Sequence, residues 1–341
     1  MMQSDVTLSD IAQRLGVSSV TISKALSGKK GVSDDLRDEI IRLADEMGYV
    51  KKEKSHHSKN AVIGIIVAER YLNHSQSFYW RIYKELSVQS NEKKILTLLE
   101  VIDRASEYGE RLPNLASHNN VDGIIILGAF DVGYLRMLKK EVHVPLLSLD
   151  SVYEEIAGDA VITDNFLGGY EIARFLYEKG HRKIGYVGTL RMTPSIDERY
   201  IGMCKFLATI GESVDFGKNP IVIDDRDQYG NLDTEGTFII PSRKEMPTAF
   251  FCNCDVSALM LIEHLKENGY MIPDDISVIG FDNYVPDMNK GIALTSYEID
   301  INVMIRKTIE LMTLRLRNPD NPYGAAMIRG RLIDGETVMT I

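Results

Sequence analysis

The sequence predicts two folds on one chain: an all-α head over residues 1–50 and a larger α/β body of two lobes over residues 61–341, joined by a linker at 51–60. Three observations carry that prediction. Residues 5–50 hold short apolar periodicities of helical spacing, with glycines at their ends. Residues 51–60 are wholly polar. From Ala61 onward, short apolar runs alternate with amphipathic stretches, and the runs are numerous enough to favour two parallel sheets wrapped by helices over one.

At 341 residues, 44% of them hydrophobic, the chain is long enough for two or three folded units with large cores. A formal net charge of −10 argues against broad electrostatic attachment to nucleic acid or to an anionic membrane. That charge is unevenly placed: residues 1–60 carry ten Lys/Arg and nine Asp/Glu, which leaves 29 against 40 in residues 61–341. Cys204, Cys252 and Cys254 form no even disulfide framework, and the Cys252-x-Cys254 spacing is too short for the usual zinc pairs, so buried reduced thiols are expected. The N-terminus lacks a basic start followed by an apolar run. The longest apolar stretches, 61–68 and 123–130, fall far short of a membrane span, so a cytoplasmic protein without membrane contact is expected.

In the head, Thr7 stands at the capping position of a first helix, with Asp10 in its opening turn and Ile11, Ala12 and Leu15 as its apolar stripe. Gly16 ends that helix and Val17 plugs the turn. Ser18 caps a second helix and Ser33 a third, whose stripe is Leu36, Ile40, Leu43, Ala44 and Met47 before Gly48. A helix, a glycine-containing turn and a second short helix make a helix-turn-helix. At a helical step of about 100° per residue, Ser19, Val20, Ser23, Lys24 and Ser27 share an arc of about 140°, while Ile22, Ala25 and Leu26 lie opposite. One face packs and the other can touch a partner.

The run TLSDIAQRLGVSSVTISKALSGKKGVSDDLRDEIIRLADEMGYV resembles, without gaps over about 45 residues, the DNA-binding domain of the LacI/GalR family of bacterial transcription regulators. The resemblance implies that Ser19, Val20 and Lys24 read base edges in the major groove and that Thr21 and Ser23 bond phosphates. Thr7, Ser18, Lys29 and Lys30 complete the implied DNA-contacting set. Chemistry agrees at Lys24, because an ammonium can donate to both acceptors of a guanine edge, whereas Val20 offers apolar contact suited to a thymine methyl. Lys29 and Lys30 fit solvated loop lysines equally well.

The next segment departs from that family. Its usual pattern after the tyrosine is a Pro-Asn pair and an Ala-Arg-x-Leu run, a hinge helix whose leucine wedges into the minor groove. Here the chain reads Val50-Lys51-Lys52-Glu53-Lys54-Ser55-His56-His57-Ser58-Lys59-Asn60, with no leucine. Wedges that unstack a base step are apolar. The linker is therefore expected to stay flexible or to touch phosphates through Lys51, Lys52, Lys54 and Lys59. His56 and His57 read as solvated linker residues, and neither metal nor cofactor is expected.

In the body, strands are expected at 62–67, 95–101, 123–127, 145–149, 160–163, 183–187, 220–223, 248–252 and 277–281, with helices at 78–92, 168–179, 197–209 and 256–268. Leu294–Glu298 reads as a strand crossing back between lobes. Ile305, Ile309, Met312 and Leu316 mark a helix stopped at Asn318-Pro319. The stretches NVDGIIILG from Asn120, GHRKIGYVG from Gly180, Ser195-x-x-x-Arg199-x-x-Gly202, PTAFFCNCD from Pro247 and IPDDISVIGFDN from Ile272 resemble periplasmic sugar-binding proteins, and more closely the effector domains of the same regulators. The fold implied is an all-α helix-turn-helix DNA-binding head plus an α/β two-lobed periplasmic-binding-protein-like effector domain. Lobe 1 is expected at about 61–163 and 293–323, lobe 2 at about 164–292 and 324–341.

In open α/β sheets ligands bind beyond the carboxyl ends of strands, and two facing lobes make a cleft there. Glu69, Phe78, Tyr79, Asp150, Arg199, Asp255 and Asp282 follow the expected strands and are the ligand-binding candidates. The resemblance assigns Arg199 and Asp282 to sugar hydroxyls, with Asp150 and Asp255 as further contacts. A planar guanidinium among carboxylates suits vicinal hydroxyls, which both donate and accept. Asp282 could instead cap a turn, and Phe78 and Tyr79 could be core. The family usually has Asn where this chain has Cys254. The expected function is a ligand-responsive, operator-binding regulator, a homodimeric repressor of carbohydrate-utilisation genes, with double-stranded operator DNA and a sugar-like effector as partners and no catalysis. The alternative is an α/β enzyme acting on sugars or nucleotides. Against it, no Gly-x-Gly-x-x-Gly follows the first strand and no Ser/His/Asp constellation stands out. An exported transport protein would not carry the head.

Overall fold

The computed structural model describes residues 8–26, 31–47, 60–72, 77–117, 120–156, 158–232, 239–284, 291 and 293–341. The chain divides into two units, Met1–Lys59 and Asn60–Ile341.

The first unit contains α1 (Leu8–Leu15), α2 (Ser19–Leu26) and α3 (Asp34–Glu46). Its core is the expected set of stripes, with Ile11, Ala12, Ile22, Ala25, Ile40 and Ala44 buried and Leu15, Val17, Leu36, Leu43 and Met47 packed against them. Gly16 turns the chain out of α1 with φ +64°, a backbone that a side chain would strain. The expected cap at Thr7, the lysines at 29 and 30, the stop at Gly48 and the linker through Lys59 lie outside the described residues.

The second unit begins with lobe 1: β1 (Val62–Ala68), α4 (Phe78–Glu92), β2 (Leu96–Ile102), α5 (Arg104–Tyr108), α6 (Asn114–Ser117), β3 (Gly123–Leu127), α7 (Val132–Glu141), β4 (Leu146–Leu149) and β5 (Asp159–Thr163). Lobe 2 follows with α8 (Asn165–Glu178), β6 (Ile184–Val187), α9 (Pro194–Thr209), β7 (Val222–Ile223), β8 (Ala249–Cys252), α10 (Asp255–Glu267) and β9 (Ser277–Ile279). The last elements are β10 (Ser296–Glu298), α11 (Ile301–Arg317), β11 (Ala325–Ile328) and β12 (Arg331–Ile333). Sheet orders are β11-β5-β4-β3-β1-β2 in lobe 1 and β7-β6-β8-β9 in lobe 2, all parallel, with β10-β12 as an antiparallel pair. Strands covered by helices on both faces need apolar residues on both, which is why β1 and β3 read as the unbroken runs VIGIIVA and GIIIL.

The lobe boundaries differ from expectation at the end of the chain. Residues 293–300 were expected in lobe 1, yet Thr295 bridges Ile279 and Glu298 bridges Asp282, which seats β10 beside β9 of lobe 2. Residues 325–328 were expected in lobe 2, yet β11 pairs with β5 and becomes an edge of the lobe 1 sheet. The chain thus crosses between lobes after Thr163, after Glu298 and after Ile328. Strands of three or four residues satisfy their backbone by whichever edge is vacant, and their sequence does not say which.

Side chains at the strand ends set where helices begin. Asp103, Asp131, Asp164 and Asp300 accept from backbone amides of Ser106, Gly133, Leu167 and Val303 at 2.6, 2.8, 3.0 and 2.9 Å, capping α5, α7, α8 and α11. Ser77 and Thr193 do the same for α4 and α9. These carboxylates belong to the helices, which separates them from the two strand-end aspartates described next.

Candidate functional site

In the head, α2 buries Ile22 and Ala25 and exposes Ser19, Val20, Ser23 and Lys24, with Val20 61% exposed. An apolar side chain that far into solvent gains nothing from folding, so it is available to a partner. The Ser18 Oγ accepts from the Thr21 amide at 3.1 Å and lies 2.9 Å from the Thr21 hydroxyl, so these two expected contacts also build the helix start. Arg37 of α3 donates to the Ala25 carbonyl at 3.0 Å and satisfies one of the orphan acceptors at the end of α2.

In the body, five candidates come together where strand ends of the two lobes face each other. Asp150 follows β4 and Asp282 follows β9; neither caps a helix, and both sit at positive φ, +65° and +101°. Backbone strain at a buried carboxylate is the kind held for a purpose. Tyr79 donates its hydroxyl to Asp150 Oδ2 at 3.0 Å, and Asp150 Oδ1 is buried without a protein partner. Arg199 of α9 is buried, donates from Nε to Asn165 Oδ1 at 2.9 Å and from Nη1 to the Asn253 carbonyl, and approaches Asp282 Oδ1 with Nη2 at 3.4 Å. Its guanidinium also lies 3.6 Å over the Phe281 ring. Phe78 is half-buried, 5.7 Å from Tyr79 and 6.2 Å from Tyr284 of lobe 2. Thus the aromatic face comes from lobe 1 and the guanidinium from lobe 2.

Burial dominates the electrostatics. It pushes the Asp150 carboxyl up to about 6 against the pull of Arg199 and the Tyr79 hydroxyl. Burial also lifts Asp282 well above the usual carboxylate range although Arg199 opposes it. A buried carboxylate short of donors gains from hydroxyl groups that bring them.

Two candidates are placed differently. Asp255 was expected to meet ligand, but its Oδ1 accepts from the Ser296 hydroxyl at 2.6 Å and its Oδ2 from the Tyr284 amide at 2.5 Å. It ties β10 and the segment after β9 to the start of α10, with burial raising its carboxyl to about 7. Glu69 opens a one-turn 3-10 helix and is exposed at the cleft mouth, apart from Asp150 and Arg199. The expectation of buried thiols holds for Cys204 and Cys252, whereas Cys254 is half-buried at the start of α10.

Sequence reasoning missed three participants. Tyr71 lies 4.4 Å from Tyr79, and both rings close on Gly128, where a Cβ would meet them at 3.1 and 2.9 Å. Arg226 donates to both oxygens of Asp225 at 2.9 and 2.7 Å and to Asn253 Oδ1 at 3.2 Å. Asp225 accepts further from the Thr189 amide, Asn253 and Ser257; burial pushes its carboxyl up, but Arg226 and these donors outweigh burial and hold it below its ordinary value. The signal was available: four charges, Asp224 to Asp227, follow directly on the apolar Ile221–Ile223.

Two family models match the chain, bacterial regulatory proteins of the lacI family over residues 7–52 and a periplasmic binding protein-like domain over 173–338. The ribose operon repressor of Haemophilus influenzae is 24% identical over 350 aligned positions, covering 98% of this chain and 99% of that protein. Among solved structures, a complex of the transcriptional regulator CelR with cellobiose superposes with a TM-score of 0.69 at 22% identity, covering 97% of this chain and 99% of that one. The Lac repressor dimer bound to operator and an anti-inducer gives 0.65 at 20%, covering 98% and 100%.

Proposed function

We infer, from the premise that this chain belongs to the LacI/GalR family of bacterial transcription regulators, that it represses carbohydrate-utilisation genes from an operator and is governed by a sugar-like effector in the cleft. One observation carries the reading. A helix-turn-helix with an exposed polar face precedes a two-lobed body in which Arg199 approaches Asp282 and Tyr79 bonds Asp150, both aspartates buried at positive φ.

On the DNA side, Lys24 with Ser19 and Val20 reads base edges while Thr21 and Ser23 meet phosphates. On the effector side, Asp150 Oδ1 and Asp282 accept from hydroxyls, Arg199 donates, and Phe78 and Tyr79 cover an apolar sugar face. Asp255 holds the walls. An effector touching both lobes favours the closed arrangement about the three crossings, and that differential affinity is the most by which it can shift operator binding. Two heads on two half-sites call for a dimer. Its face is the lobe 1 edge, where Val88, Leu96 and Leu98 stand 52, 48 and 41% exposed. No helix among the described residues is long and apolar enough to cross a membrane, and the protein acts in the cytoplasm without turnover.

The test is paired. Genomic footprinting on the full-length protein is expected to return a near-palindromic site, and a thermal-shift screen of sugars a specific rise in melting temperature. Absence of any preferred DNA site removes the regulator reading; a preferred site with no sugar response removes only the effector class.

A further inference from the structure

We propose that a pocket at the mouth of the cleft is a subsite for a second sugar ring, so that the effector is an oligosaccharide; this rests on the sugar-effector reading above. The pocket measures about 200 Å³, less than the roughly 300–1,000 Å³ of sites that enclose a whole drug-sized ligand. It therefore takes one ring of something larger.

Its base is rigid. Glu107 is buried, grips Arg70 with both oxygens and accepts from the Asp131 amide at 2.7 Å, while Arg70 also donates to the Ala129 carbonyl at 2.6 Å. Its walls come from both lobes. Arg104 and Tyr108 belong to α5, and Tyr229 and Asn231 to the loop after β7. Across the gap the Arg104 guanidinium lies 3.3 Å over the Tyr229 ring. Asp227 holds that loop in shape by accepting from the amides of Tyr229 and Asn231 at 2.8 and 3.0 Å.

The chemistry of the lining selects a neutral polyol. Two arginines, Arg70 and Arg104, balance two glutamates, Glu69 and Glu107, which gives a phosphate or carboxylate no net attraction. Tyr108, 56% exposed, offers ring surface to sugar C–H groups, and Tyr229, one face of which is held by Arg104, adds its exposed remainder. Glu69, Arg104 and Asn231 offer acceptors and donors to hydroxyls. A wall of packed side chains links the subsite to the inner one: Arg70 lies 4.9 Å over Tyr71, Tyr71 4.4 Å from Tyr79, and Tyr79 bonds Asp150.

Calorimetry on the full-length protein compares glucose, galactose, xylose and ribose with cellobiose, maltose, lactose, sucrose and maltotriose, and includes glucose 6-phosphate. The expected result is an oligosaccharide binding at least tenfold more tightly than any monosaccharide. Tyr229→Ala and Arg104→Ala, both at exposed sites, should cost that ligand tenfold or more and leave monosaccharide affinity within twofold. Equal binding of monosaccharides, equal loss for both ligand lengths, or tighter binding of the phosphate overturns the subsite and leaves the sugar reading standing. No binding by any saccharide overturns both.

Discussion

The recognition helix and the effector cleft hold their functional groups in opposite ways. In α2 the side chains proposed to read bases, Ser19, Val20 and Lys24, are exposed, and Ile22 and Ala25 are buried behind them. In the cleft the corresponding groups, Arg199, Asp150 and Asp282, are themselves buried and bonded to the framework. A substitution in the head can therefore separate function from stability, whereas one in the cleft changes both. On the reading proposed above, DNA would meet a mostly exposed face, whereas a polyol would meet charges that folding has already desolvated.

The largest effect tests the cleft side of that contrast. Arg199→Ala leaves Asp282, Asn165 and the Asn253 carbonyl short of their donor, and a loss of about 3–5 kcal/mol is expected from urea unfolding, together with loss of effector response. A variant of unchanged stability would show that the guanidinium is solvated and not structural.

Next comes pH. A carboxyl whose folded value is raised binds its proton more tightly when folded, so its ionisation costs stability above the folded value and the cost fades as pH falls. For Asp150, raised to about 6 by burial, the change runs between about pH 6 and the ordinary value of about 4. Asp150→Asn should melt above the wild type at pH 8, by up to roughly 3 kcal/mol at about 1.4 kcal/mol per unit, and match it at pH 4. A constant gap across pH would assign the effect to packing.

In the head, Lys24→Ala should weaken operator binding by about 1–3 kcal/mol in a gel shift, a larger loss than its effect on the stability of the head. A drop in melting temperature of similar size would mean that this face is structural after all. Smallest is Ser18→Ala, expected to cost the head about 1 kcal/mol through loss of the bond from the Thr21 amide, read by thermal unfolding. If operator affinity falls far more than that, Ser18 touches DNA directly.

Much of this was legible in the chain itself, for identifiable reasons. Helix α4 was placed at its observed bounds, 78–92, and β3 at 123–127, because a long amphipathic period and an unbroken apolar run are strong signals. Asp150 and Asp282 were legible as polar residues directly after strands. Asp255 looked the same by that criterion, because a carboxylate after a strand reads alike whether it will hold a loop or a ligand. What distinguishes them, positive φ at both and at Asp150 an oxygen without a partner, against two bonded oxygens at Asp255, exists only in three dimensions. Arg226 escaped notice because β7 is two residues long and its partners, Asp225, Asn253 and Ser257, are gathered from separate elements.

The late exchange of strands has a consequence for how the protein is made. The six-stranded sheet of lobe 1 waits for β11 at 325–328 and the β10–β12 pair for residues 331–333, whereas the four strands of the lobe 2 sheet have all been made by Ile279. At about 5–20 residues per second, the lobe 1 sheet keeps the edge beside β5 open while all of lobe 2's sheet is being made. Because the chain returns to lobe 1 for α11 and β11, lobe 1 is not a contiguous fragment, and a stop codon before Ala325 would remove β11 and β12 at once.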